Sequence, residues 1–386
     1  MLPSRHGVQG RQTRTVLIMI LSLALSVLAQ VNAPSDSPVK NVVLIVSDGV
    51  RAREVFEGGE RALMGRGGGV ENEEGCVAKF HRPDVAARRE VLMPFLWKTV
   101  VKQGQLFGLS RVGSPMRVSN RFRVSYPGYN ELFTGWADPR IDSNGLGENP
   151  NVTVFEHLAK QRGFEGGVQA FATWETFFRI FAVSRSKLDV RAGWNPPFAN
   201  DPLRTPGKDV IDAIHRGTTP MFGGNALDAM TYAALKESLK TTRPRLLFLG
   251  LGETDEWMHA GRYDLALEAL QRADATIADL WNTMQSMDEY RGSTVFLITT
   301  DHGRGGLPWD WKHHGANVLG AEDIWLAALG PGVPALGVRR DTGLVTQAQV
   351  ASTIASLLGH DWVAVNPKAA PPLPLRPVTA LAAGSR

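Results

Sequence analysis

The chain has a single cysteine, Cys76, so no intrachain disulfide can form, even in an oxidising compartment. Stability has to come from packing or from metal. Charge of one sign is also scarce. The formal balance is +4 over 386 residues, and Arg5, Arg11 and Arg14 all lie in an acid-free N-terminal stretch. Without that stretch the balance falls to about +1, which gives no electrostatic reason to expect nucleic acid or an acidic membrane as partner. The sequence shows no internal repeat and no coiled coil.

The basic start runs into "VLIMILSLALSVLA" (16–29), and "VNA" (31–33) then places small residues at a cleavage point after Ala33. Residues 1–33 therefore read as a secretory signal peptide, since the apolar run is uncharged but short for a membrane span. The expectation is an exported protein, periplasmic or secreted, without stable membrane insertion once the signal is removed. An uncleaved anchor is the alternative. The remaining chain, about 350 residues, is long enough to bury a large core.

Four continuously apolar runs read as buried parallel strands covered by helices on both faces: "NVVLIVS" (41–47), "RLLFLGLG" (245–252), "TVFLITT" (294–300) and "IWLAALG" (324–330). Helical patterns separate them. "VTVFEHLAKQRG" (152–163) opens with Thr153 and Glu156 at capping-box spacing. Residues 263–287 place Ala266, Leu270, Ala273, Ile277, Leu280 and Met284 on one face. "TQAQVASTIASLLG" (346–359) stops at Gly359. This alternation predicts an α/β fold with a doubly wound, mostly parallel central sheet flanked by helices. Residues 55–80, rich in Gly and Glu, read as an exposed loop. Residues 186–222 read as a small cap or lid inserted into a domain spanning 34–365, and 366–386 as a Pro/Ala-rich tail, extended or loose.

Ligands in such sheets bind beyond the carboxyl ends of the strands. Three of the strands end in acids there: Asp48 in "LIVSDGVR", Asp255 in "LGLGETDEWMH", and Asp301 in "TTDHG". His302 adjoins the third, and His259 lies four residues beyond Asp255, facing the same way on a helical turn. One strand-terminal acid is more often a cap or a turn former. Three with two histidines would repel one another unless cations bound among them. Mixed carboxylate and imidazole donors suit zinc, with manganese or iron as substitutes. "WDWKHHGAN" (309–317) offers a sixth donor, His314 before Gly315 being favoured over His313. His81, His157, His215 and His360 lack such a setting. Two divalent ions about 4 Å apart form a clamp for in-line displacement at phosphorus. Ser125, in "RVSYPGYNELFTG" (123–135), is a nucleophile that such ions would activate, although read alone it is a helix N-cap.

Taken in order, "SDGVR", "SYPGYNELFTG", "DEWMH", "DHG" and "HHG" resemble the alkaline phosphatase superfamily, in particular its nucleotide pyrophosphatase/phosphodiesterase-like branch. The resemblance spans nearly the whole chain after the leader. It implies an alkaline phosphatase-like fold and one ion held by Asp255, His259 and His314. A second would be held by Asp48, Asp301 and His302, with Ser125 bridging at it and becoming transiently phosphorylated. It also implies a transition-state asparagine, for which Asn144 lies near the right distance and Asn130 and Asn149 compete. The diesterase branch usually has Thr where this chain has Ser125. Sulfatases need an arginine where Tyr129 stands, and the mutases act on cytosolic sugar phosphates that an exported chain would seldom meet.

These readings converge on an exported two-metal hydrolase of small phosphate esters. A binding protein that kept the fold without turnover is the rival from another class. Oligomeric state and the choice between monoester and diester are left open by the sequence.

Overall fold

Strands that are apolar throughout need cover on both faces. The computed structural model describes residues 39–376 and supplies that cover. The signal peptide with its cleavage point, and the tail beyond residue 376, lie outside the described residues. In chain order the strands are β1 (Asn41–Ser47), β2 (Gln105–Phe107), β3 (Met116–Arg117), β4 (Val168–Ala172), β5 (Asp189–Ala192), β6 (Leu246–Leu251), β7 (Thr294–Thr299), β8 (Leu326–Leu329), β9 (Gly337–Val338) and β10 (Val345–Thr346). The helices that frame the sheet and the site are α1 (Ala52–Glu57), α2 (Glu73–Phe80), α3 (Ser125–Thr134), α4 (Val154–Ala159), α5 (Pro206–Gly217), α6 (Asp228–Ser238), α7 (Glu253–His259), α8 (Tyr263–Ser286) and α9 (Gln349–Leu357).

Eight strands form one sheet in the order β5-β4-β6-β1-β7-β8-β2-β9, and β3 pairs with β10 separately. From β5 to β7 every pairing is parallel, so β6, β1 and β7 deliver their carboxyl ends side by side. The fourth apolar run departs from expectation: β8 is antiparallel to both β7 and β2. No helix separates β7 from β8, and a chain that returns without a helical crossover comes back reversed.

Side chains alternate across β1. Val42, Leu44 and Val46 join a core with α3, α4 and α9, whereas Val43 and Ile45 join the core under α1, α2 and α8. The six α8 residues predicted to share a face are all buried. Thr153 caps α4 by accepting from the Glu156 N–H at 3.0 Å.

Residues 55–80 do not form an exposed loop. Val55, Phe56, Leu63, Met64, Val70, Cys76 and Phe80 are buried there, on short helical turns whose irregular spacing hides the apolar face. The 186–222 segment contributes β5 to the sheet margin before running into α5. The tail is extended as expected but not loose over 366–376. Leu373 and Leu375 are buried, and Gln105 Nε2 donates to the Leu375 carbonyl. Among the described residues, no helix is long and apolar enough to cross a membrane.

Candidate metal centre

The serine helix sets the geometry. Val124, extended at φ −130 and ψ 164, is the N-cap of α3 and makes no side-chain cap bond. Ser125 is thus the first helical residue, not the cap that its sequence context suggests. Its hydroxyl is not spent on capping; Oγ lies 3.3 Å from His302 Nε2. Pro127 is tolerated because the first turn needs no N–H from it. The rest of α3 is buried, with Tyr129 4.6 Å from Phe177 and Phe133 4.7 Å from Phe181, ring centre to ring centre. Such pairs add about 0.5–1.5 kcal/mol each beyond their buried area, so the serine end is firmly held.

The carboxyl ends of β1, β6 and β7 bring the predicted donors together. His302 Nε2 lies 3.5 Å from Asp48 Oδ1 and 3.5 Å from Asp301 Oδ2. On α7, His259 Nε2 is 3.3 Å from Asp255 Oδ2, the i,i+4 relation read from the sequence. His314 closes this second group from the β7–β8 loop, with Nε2 2.9 Å from His259 Nε2 and 3.9 Å from Asp255 Oδ1. His302 stands between the groups, 4.0 Å from Asp255 Oδ1 and stacked on His314 at 3.9 Å. His313, the rejected neighbour, is exposed.

The donor set fits a pair of cations. Asp48 Oδ1 and Asp301 Oδ2 are buried and have no hydrogen-bond partner, an arrangement that costs several kcal/mol per group unless a cation takes the lone pairs. His302 Nδ1 donates to the Gly303 carbonyl and His314 Nδ1 to the Arg123 carbonyl, each at 2.9 Å. A carbonyl can only accept, so both rings carry the proton on Nδ1 and point a free Nε2 lone pair inward. Burial, with the Asp301 charge beside it, pushes the Asp48 carboxyl up to about 7, and burial pushes Asp301 up to about 7. Burial pushes His302, His259 and His314 down, holding the imidazoles neutral. Neutral imidazole beside carboxylate is the metal-binding state.

Residues 213–329, which hold five of the six predicted ligands, match the model of a family described as the Metalloenzyme superfamily. Among solved structures, a protein of the alkaline phosphatase superfamily from Vibrio parahaemolyticus is 15% identical with a TM-score of 0.51, covering 83% of this chain and 67% of that one. A quadruple variant of the alkaline phosphatase PafA is 11% identical with a TM-score of 0.52, covering 89% of this chain and 99% of that one. The fold is that of the alkaline phosphatase superfamily. The lipoteichoic acid synthase LtaP from Listeria monocytogenes shares it, at 11% identity and a TM-score of 0.52, covering 83% of this chain and 72% of that one. No curated protein sequence matches the chain.

Within this alkaline phosphatase-like framework the three candidate asparagines separate. Asn144 Oδ1 accepts from the Tyr126 N–H at 2.9 Å, directly beside the serine. Asn130 and Asn149 are fully buried elsewhere, Asn149 Nδ2 donating to Asn130 Oδ1 at 3.3 Å and to the Ile180 carbonyl at 3.2 Å. They hold a loop; Asn144 alone of the three touches the serine turn.

Sequence reasoning missed the residues that hold the candidate donors. Tyr129, where a sulfatase has arginine, donates its hydroxyl to Asp48 Oδ2 at 3.0 Å. Its signal was the i,i+4 spacing from Ser125. Gln347 donates to the Asp301 carbonyl at 2.8 Å, and Thr254 Oγ1 to the Asp48 carbonyl at 2.6 Å. Arg304 Nη2 pairs with Asp255 Oδ1.

Gly128 lets α3 approach β7. A Cβ there would lie 2.4 Å from the Asp301 carbonyl oxygen, which is backbone and cannot turn aside. Gly128→Ala is expected to cost about 1–3 kcal/mol, as overpacking does. A thermal melt checks that, and the metal titration should weaken with it, because the intruding methyl presses on the Asp301 end of the strand.

Proposed function

We propose that the chain is an exported hydrolase of small phosphate esters that uses two divalent ions, zinc first and manganese as substitute, and a phosphoserine at Ser125. One observation carries this reading. A serine hydroxyl not used for capping stands 3.3 Å from His302 Nε2, beside two buried carboxylate oxygens that lack any partner. Asp48, Asp301 and His302 would hold one ion, and Asp255, His259 and His314 the other. Bound there, the ions supply Lewis-acid stabilisation of phosphoryl charge and lower the pKa of coordinated hydroxyl groups. Export rests on the leader sequence alone.

Ser125 Oγ attacks phosphorus as the ester oxygen departs on the opposite side, the serine proton passing through solvent to the departing alcohol; water then cleaves the P–O bond of the phosphoserine, giving one proton back to Ser125 and its hydroxyl to the released phosphate. Asn144 spends Oδ1 on the Tyr126 N–H, which leaves its amide N–H groups to donate to a non-bridging phosphoryl oxygen. Tyr129, through Asp48, and Gln347, through the Asp301 backbone, keep that ligand pair in place. The alkaline phosphatase among the proteins of the same fold supports ester hydrolysis at phosphorus.

Asn144→Ala is expected to lower kcat by about 100- to 1,000-fold, the usual cost of one transition-state donor, with bound metal unchanged. The reading as a whole is tested on metal-loaded protein offered aryl phosphate monoesters, diesters, phosphonates and sulfates. Phosphate ester turnover that chelation abolishes and metal restores supports it. Fastest turnover of a sulfate, or a protein that holds two ions yet turns over no ester, contradicts it and in the second case favours the binding protein.

A further inference from the structure

Four segments carry the proposed metal ligands, and they meet on one side chain that has no place in the chemistry above. Arg304 lies two residues beyond His302, and its side chain is 0% exposed. Nε donates to the Gly49 carbonyl at 3.1 Å, next in chain to Asp48. Nη1 donates to the Lys312 carbonyl, in the loop that presents His314. Nη2 pairs with Asp255 Oδ1 and donates to the Asp255 carbonyl at 3.3 Å.

A second observation shows that the backbone is shaped around this contact. Gly49 has φ +63, and a Cβ there would stand 2.6 Å from Asp255 Oδ1 and 2.8 Å from Arg304 Nε. The residue after Asp48 lacks a side chain where the guanidinium and the carboxylate come together. A planar fork with five fixed donors can serve three carbonyls and a carboxylate at once; a lysine ammonium cannot.

We propose that Arg304 is a positioning residue of the metal centre, clamping Asp255 so that Oδ1, which also faces His302 and His314 at 4.0 and 3.9 Å, is spent on the guanidinium and Oδ2 is turned to His259. Oδ2 is the oxygen already 3.3 Å from His259 Nε2. The same clamp ties the Asp48 turn, α7 and the His314 loop to the end of β7, so the donors are assembled before any ion arrives. Arg304 touches ligands and their backbone, and no substrate.

The inference rests on the two-ion reading, and the test separates the two. Zinc binding to the full chain is titrated against a chromogenic chelator for the wild type, Arg304→Lys and His259→Ala, alongside melts of the metal-free proteins. A wild type that binds fewer than two ions sinks the two-ion reading itself. With two ions bound, His259→Ala identifies the step that belongs to the Asp255 site. Arg304→Lys is expected to weaken that same step by about 10- to 100-fold, the range for residues that orient ligands, and the double variant to bind no worse than His259→Ala alone. Both steps staying within two-fold of wild type, or falling equally, would assign Arg304 to the fold only and overturn the proposal, whatever the melting temperature does. A crystal structure of the zinc-loaded wild type decides the matter where Arg304→Lys does not fold. Asp255 bound through Oδ2 with Oδ1 still on Arg304 supports the clamp, and a bidentate Asp255 or a guanidinium turned away overturns it.

Discussion

Ser125→Ala is expected to lower kcat/KM for a phosphate ester by at least about a thousand-fold while the protein still binds two ions, because loss of an enzyme's nucleophile removes a whole step rather than one contact. The geometry makes the substitution clean. Val124, not Ser125, occupies the N-cap position, and Ser125 Oγ makes no capping bond. Alanine is the best helix former, so the thermal midpoint should hardly move. Steady-state kinetics with metal content measured on the same sample separate a lost nucleophile from a lost site. Activity within ten-fold of wild type would take the serine out of the mechanism.

Asp301→Asn should act in opposite directions on the metal-free and metal-loaded protein. Without ions, Asp301 and Asp48 are buried acids facing each other, both pushed up to about 7 from the ordinary 3.8 by burial. The folded state then holds protons that the unfolded chain releases near pH 4. Stability from these groups is complete below about pH 4 and is lost as pH rises through 7. At pH 8 both must ionise in place, so a neutral amide at 301 is expected to stabilise the metal-free protein by about 1–3 kcal/mol. With ions the sign reverses. Asp301→Asn should hold one ion rather than two and lose at least about a thousand-fold in turnover. The wild type carries the matching pH signature: its metal-free melting temperature falls between about pH 6.5 and 8, above the range where the depressed His259, His302 and His314 contribute with the opposite sign, while the zinc-loaded value rises as protons cease to compete for the donors. Melts of wild type and variant across that range, with and without chelator, check both signs.

The architecture was legible where burial leaves a continuous apolar trace. β1, β6 and β7 are apolar throughout, and the acids that follow them stand out against that background. The direction of β8 was not legible, because it depends on the path of the β7–β8 loop and not on the composition of the strand. Residues 55–80 misled by composition: their Gly and Glu content suggests solvent, while Val55, Phe56, Leu63, Met64 and Phe80 pack beneath the sheet. The tail misled in the same way, its prolines hiding the anchors Leu373 and Leu375. At the site, each proposed ligand is named from its position at a strand end, on a helical turn or in a loop. Asn144 could not be separated from Asn130 and Asn149 by sequence, since the choice rests on which of them reaches the Tyr126 N–H. Arg304 was invisible as a support and Tyr129 showed only its i,i+4 spacing from Ser125, for the same reason: neither contact follows from chain neighbours, and both exist only once β1, β7, α3 and α7 have converged.

Crystals of zinc-loaded protein, with anomalous scattering recorded on both sides of the zinc edge, put the central claim to its most direct test. Two peaks are predicted, one bounded by Asp48, Asp301 and His302 beside Ser125 Oγ, the other by Asp255, His259 and His314. No peak, a single peak, or peaks held by other residues in protein that turns over phosphate esters would contradict the account.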